Sequence, residues 1–305
     1  VRLPQTYSVG PLRRLQRGAQ VRAANRPEDH LMPPLRSIVA VALPLIVAAP
    51  TGTRNAAGAP AAAATANRSG PVDHSAFDAL LRAHVRNGLV DYDAFERSAE
   101  FRQYLARLAA TDPGALSRDE QLALWINAYN AYTIALINKH DERTSIRNIN
   151  KSFGLVKAYG PWREKLAVVG GRAYGLDEIE QDILRKRFRE PRIHFALVCA
   201  AMGCPPLRSE AYVADRLDAQ LDDQARRFLL HSPDKNRVDV AARTVYLSPI
   251  FVEFRDYIDD FGGSEAAVGR YVARYFPPGP ERQLLEGGQF RVVKTHYDWS
   301  LNKQN

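Results

Sequence analysis

The segment that most limits how this chain can fold runs from residue 118 to residue 139. Ser117-Arg118-Asp119-Glu120 is a capping box that opens a helix. The helix it opens is apolar nearly all round: Leu122, Leu124, Trp125, Ile126, Tyr129, Tyr132, Ile134, Leu136 and Ile137 leave no polar face. A helix of that kind must be covered on every side, so the rest of the domain has to be built around it. Asn127 and Asn130, three apart, share one face of it. A buried amide without partners costs about 1–3 kcal/mol, so both need hydrogen bonds. They either tie the helix to loops and strand ends or line a pocket.

Amphipathic patterns surround this helix. Phe77, Leu80, Leu81 and Val85 recur at helical spacing, and a second helix over 93–110 stops at Asp112-Pro113-Gly114. Gly170-Gly171 closes a hairpin of 166–169 with 173–176. Asp177 then caps a helix through 188. Its Asp177-x-x-Glu180 spacing accounts for Glu180 as a capping residue, with a functional role as the other reading. Arg185 either pairs Asp182 or reaches into a site.

After Pro191 comes an apolar, β-branched run, residues 192–200, read as a strand. Alternation puts Ile193, Phe195, Leu197 and Cys199 on one face and His194, Ala196, Val198 and Ala200 on the other. On that reading His194 cannot meet Cys199, and Cys204 is its more plausible partner. Helices over 215–231, 249–260 and 264–276 follow, with a hairpin of 238–240 against 245–247. A terminal aromatic strand spans 290–301 and is expected to pack on the core. Asp256, Asp259 and Asp260 read as a solvated acidic helix end, with cation binding as the minor alternative, and His296-Tyr297-Asp298 without further partners is weak evidence for a metal site. The expected fold is α+β and predominantly helical, with a buried central helix and a small sheet that includes the 192–200 strand.

The net charge of +8 is concentrated upstream. Residues 1–66 carry eight arginines against two acids, leaving the remainder nearly neutral, which argues against a nucleic-acid partner. Met32-Pro-Pro-Leu-Arg36 and the apolar run Ser37–Ala49 read as a signal peptide, with Ala64-Thr65-Ala66 as its cleavage site, or else as an uncleaved N-terminal anchor. The expected organisation is an upstream extension (1–31), a signal peptide with an Ala-rich linker (32–66) and one domain (72–302). The expected location is the periplasm or beyond, without a stable membrane span after cleavage. In an oxidising compartment the only two cysteines, Cys199 and Cys204, form a disulfide, provide a functional thiol or stand as inert buried thiols.

Several segments resemble motifs of the domain of unknown function 547 family. They are Gly-Leu-Val-Asp-Tyr (88–92), Leu-Trp-Ile-Asn-Ala-Tyr-Asn-Ala (124–131), Leu-Asp-Glu-Ile-Glu (176–180), His-Phe-Ala-Leu-Val-Cys-Ala-Ala-Met-Gly-Cys-Pro-Pro-Leu-Arg (194–208) and the terminal Tyr-Asp-Trp-Ser-Leu-Asn. The resemblance covers about 77–302 in order. It implies a bacterial exported member of a family also found as a module in eukaryotic proteins, and it implies no established reaction. It directs attention to Asn127, Asn130, Glu180, Arg185, His194, Cys199 and Cys204.

Two functions fit these residues. The first is an exported module that binds a small molecule or an envelope protein, with Asn130, Arg185 and Cys199 among its binding residues. The second is a thiol-dependent hydrolase or acyl transferase: Cys204 as nucleophile, His194 as base, and Asn127 or Glu180 as the orienting or oxyanion-stabilising group. A metal-dependent site built on His194, Cys204 and a carboxylate is a third reading, and no cofactor is expected. If translation starts at Met32, mass spectrometry of the native protein recovers no peptide from residues 1–31; one such peptide overturns that start.

Overall fold

The computed structural model describes residues 72–150, 160–254 and 256–304. The upstream extension and signal-peptide expectations (1–31 and 32–66) lie outside the described residues.

Four helices begin the fold: α1 (Ser75–His84), α2 (Tyr92–Arg97), α3 (Ala99–Ala110) and α4 (Arg118–Lys139). The Ser117–Glu120 capping box is formed, and α4 is buried from Leu122 through Ile134 and again at Leu136 and Ile137. Helices α2 and α3, later helical segments and one of two hairpins, that of residues 167–174, pack against it. The hairpins are β1 (Val85–Arg86) with β2 (Leu89–Val90), and β3 (Ala167–Val169) with β4 (Arg172–Tyr174). A three-stranded sheet lies apart: β5 (Arg237–Asp239) antiparallel to β6 (Thr244–Leu247), which pairs in parallel with β7 (Arg291–Lys294). The fold is thus α+β and predominantly helical.

Asn127 and Asn130 act as clamps. Asn127 donates from Nδ2 to the Tyr212 carbonyl (2.7 Å) and accepts from the Tyr212 N–H (3.0 Å). Asn130 donates to the Ala196 carbonyl (3.0 Å) and accepts from the Val198 N–H (3.0 Å). Each side-chain amide therefore copies the paired donor and acceptor of a neighbouring β-strand.

This explains why residues 192–200 are not a strand. After Pro191 the chain makes a helical turn, α7 (Ile193–Ala196), following the short α5 (Gly160–Arg163) and α6 (Leu176–Glu178). The N–H groups of His194 and Phe195 bond back to the carbonyls of Pro191 and Arg192. The residues after Leu197 belong to no named strand, and Ala201 makes only an isolated antiparallel bridge with Leu301; Asn130 serves Val198, and the Asn302 N–H serves the Ala200 carbonyl (3.2 Å). The strict alternation that separated His194 from Cys199 therefore does not apply.

The helix expected from Asp177 also differs. Its α6 turn, preceded by Gly175 without a side-chain cap, runs into a π-helix, Ile179–Phe188. Hydrogen bonds spaced five residues apart bring Glu180 and Arg185 into line. Further on come α8 (Leu217–Leu230), α9 (Pro249–Val252), α10 (Tyr257–Asp260), α11 (Glu265–Ala273) and α12 (Pro280–Gly287). The single helix expected over 249–260 is thus two short ones. The 290–301 strand is limited to β7.

The rest of that terminal segment stitches the fold together. Asn302 accepts from the Tyr92 hydroxyl (2.6 Å) and donates to the Gly88 carbonyl (3.2 Å), while Val90 exchanges backbone bonds with Asn302 and Gln304. Gly88 (φ 84°) turns the β1–β2 hairpin against the Pro205-Pro206 exit, where an added Cβ would come within 2.5 Å of the Pro206 side chain.

Asn130→Ala leaves the Ala196 carbonyl and Val198 N–H unpaired in the core. Chemical denaturation should show a loss of about 2–4 kcal/mol. Asn130→Asp, which sets a buried carboxylate against the Ala196 carbonyl, should lose at least as much at neutral pH.

Candidate functional site

A cavity of about 370 Å3 opens where α4, the π-helix, the loop after α7 and the terminal segment meet. Its aromatic lining includes Tyr129, Trp162, Phe254, Tyr257, Tyr297 and Trp299. Its polar lining includes Arg147, Asp177, Glu180, His194 and Glu253, and both cysteines border it.

Glu180 receives two phenols. Tyr129 donates to Oε2 (3.2 Å) and Tyr257 donates to Oε1. Burial pushes the Tyr129 hydroxyl well above its ordinary pKa, and the adjacent Glu180 raises it further, so it remains a donor. Among the described residues no cation lies within ion-pair distance of Glu180. Glu253, by contrast, pairs with Lys294 (3.0 Å).

His194, almost fully buried, places Nε2 2.6 Å from Asp260 Oδ2. Asp260 was expected in a solvated acidic patch; the structure turns it inward instead. Arg185 grips it through Nε (2.6 Å) and a second nitrogen (3.0 Å), and also reaches Asp256 (2.7 Å) and Gln181 (2.7 Å). Burial alone would raise the Asp260 carboxyl. The hydrogen bonds from His194 and Arg185 outweigh it and hold the carboxyl at about 2. An ionised Asp260 can only accept, so His194 donates to it from Nε2. The Tyr257 ring joins the two clusters: it lies 4.3 Å from the imidazole and under the Arg185 guanidinium at 4.9 Å, with its hydroxyl on Glu180.

The cysteines are bridged: Cys199 and Cys204 form a disulfide. The Cys199 N–H donates to Cys204 Sγ (3.0 Å), and the Tyr297 hydroxyl lies 3.1 Å and 3.2 Å from the two sulfurs. Gly203 makes room for that ring, since a Cβ there would come within 2.8 Å of it. The loop is held on both sides. Met202 and Gly203 donate to the Ser300 and Asp298 carbonyls, and Lys235 Nζ donates to the Cys204 carbonyl (2.8 Å). Ala200 within it adopts φ 60°, a strained choice for a residue with a Cβ.

Of the residues singled out from sequence, Glu180, His194, Cys199 and Cys204 border one cavity, and Arg185 stands behind it holding Asp260. Asn127 and Asn130 lie in the core, bonded to backbone, and are not part of the cavity lining. With both sulfurs joined there is no thiol for the expected Cys204–His194 pair, and His194 is partnered by Asp260 instead. Tyr129, Tyr257, Asp260 and Tyr297 were not among the sequence candidates. Among the described residues no group of three His, Cys, Asp or Glu side chains is arranged for a metal, and no helix is long and apolar enough to cross a membrane.

Residues of the 124–131, 176–180 and 194–208 segments thus line one cavity. Residues 113–229 match the family described as "Protein of unknown function, DUF547". That match supports the resemblance for the central part of the domain. No curated protein and no solved structure matches the chain. The matched span supplies Tyr129, Glu180, His194 and the disulfide; Tyr257, Asp260, Tyr297 and Trp299 come from beyond it.

Asp260→Asn removes the carboxylate shared by His194 and Arg185 and should cost about 2–3 kcal/mol at neutral pH. The Asp260 pKa is depressed from 3.8 to about 2 on folding. Its contribution is therefore present above pH 4 and lost as pH falls toward 2. The stability difference between wild type and variant should shrink across that window in acid denaturation.

Proposed function

We propose that this domain is a binding module for a small organic molecule with an amino or other cationic head, acting outside the cytoplasm. The observation that carries the reading is Glu180: a carboxylate at the wall of an aromatic cavity, steadied by two phenols and by no cation among the described residues. A cationic head seated there gains a charge-assisted hydrogen bond and the faces of aromatic rings. The ring cluster supports this. Tyr297 and Trp299 have centroids 4.7 Å apart, and Phe254 lies 4.7 Å from Tyr297. The cavity's size suits a small molecule, and its concave form favours that over an envelope protein as the occupant.

The disulfide supports a working place outside the cytoplasm, because such bridges persist in oxidising compartments. The signal-peptide reading of residues 32–66 agrees with it.

Trp162 and Trp299 border the cavity, so tryptophan fluorescence reads occupancy. Titration with a panel of small amines, sugars and organic acids should find amines bound in preference. Glu180→Gln should weaken that binding at least about tenfold. Preference for sugars or acids, or amine binding indifferent to Glu180→Gln, overturns the reading.

A further inference from the structure

We infer that the Cys199–Cys204 disulfide is a thiol-exchange centre that opens reversibly toward a small thiol entering the cavity. The two sulfurs are unequally placed. Cys204 is buried, 2% exposed, whereas Cys199 is only partly buried, and both border the cavity. A thiol in the cavity therefore meets Cys199 first. The inference does not depend on which ligand the cavity holds.

The step balances without a further reagent. The incoming low-molecular-weight thiol loses its proton to solvent and attacks Cys199 Sγ as the thiolate. A new sulfur–sulfur bond joins it to Cys199 as the Cys199–Cys204 bond breaks, and the electron pair leaves on Cys204 Sγ. A second equivalent of the same thiol, also deprotonated by solvent, completes the reduction: it displaces the first as a small disulfide, and Cys199 and Cys204 take up the two protons from solvent. The protein disulfide is reduced and two small thiols are oxidised to one disulfide; the reverse reaction closes the bridge.

The leaving thiolate is already provided for. Cys204 Sγ receives the Cys199 N–H at 3.0 Å and lies 3.2 Å from the Tyr297 hydroxyl. With the sulfurs bridged and carrying no hydrogen, Tyr297 is the donor in these contacts. Burial pushes the Tyr297 hydroxyl up, so it stays protonated and able to donate to a sulfur anion. A purely structural bridge needs neither donor, nor a cavity beside it. Gly203 and the aromatic packing of Phe254 and Trp299 keep the phenol in place.

The test uses the full oxidised chain, without denaturant, and 2-mercaptoethanol, a neutral thiol whose reaction is independent of any preference for cations. Intact mass should show a single thiol adduct, located at Cys199 by digestion, on the way to the dithiol. Tyr297→Phe, with its folded stability checked, should open about tenfold more slowly, as for loss of one hydrogen bond to a developing charge. A second arm tests the geometry without the bridge. Exposed to the oxidised form of the reagent, Cys204→Ser should take up the adduct at Cys199, whereas Cys199→Ser should leave Cys204 unmodified. Reaction only after unfolding, adducts at Cys204, or opening at an unchanged rate in a folded Tyr297→Phe variant each overturn the inference.

Discussion

A stretch of extended backbone that joins no sheet must still find partners for its N–H and C=O groups. In this protein the partner is a side chain. Asn130 on α4 gives the segment after α7 the donor–acceptor pair that an adjoining strand would have supplied. Asn127 does the same for the chain at Tyr212. Because α4 is buried almost throughout, these amides hold fixed positions, and so do the backbones they grip. His194 stands on the helical turn just before the Asn130 contact, and Cys199 follows it by one residue beyond Val198. The location of the cavity thus follows from two amides on one helix face.

Around the cavity, charge is arranged in two layers. Arg185 and Asp260 form the rear layer, where mutual hydrogen bonding keeps Asp260 ionised despite its partial burial. They orient the imidazole of His194. The front layer is Glu180 with its phenols, joined to the rear through the Tyr257 ring. Replacing the π-helix with a regular α-helix would turn Glu180 or Arg185 away, because only the wider turn brings residues five apart into line. An unfavourable backbone form is therefore tied to the position of two charged groups.

Much of this was legible in the sequence, and the parts that were not have a common cause. The capping box and apolar surface of α4 are local facts, and they located the core. The cysteine spacing allowed the bridge. Residues 192–200 resemble a strand because β-branched and apolar residues suit any buried backbone, and the deciding partner, Asn130, lies more than sixty positions upstream. Asp260 has the local look of a solvated helix end, since its partners His194 and Arg185 are likewise distant in sequence. Tyr129 sits in an apolar pattern, Tyr257 and Tyr297 among polar neighbours, and in either setting nothing local says where a hydroxyl points. Local chemistry revealed the elements, while the site rests on pairings between elements.

The segment over 297–304 lies between two partners that are themselves far apart in sequence. It bonds to the β1–β2 hairpin at Val90 and to the disulfide loop at Met202 and Gly203. It also brings Tyr297 and Trp299 to the cavity wall. As a chain emerges from a ribosome or a translocation channel, the hairpin and the loop must wait nearly a hundred residues beyond the loop for this tie. Until it arrives the two sulfurs have no phenol over them, and the aromatic wall is incomplete. The order of synthesis therefore delays assembly of the cavity until nearly all of the elements described here have emerged. A nascent chain can acquire its buried α4 early, but not a finished site.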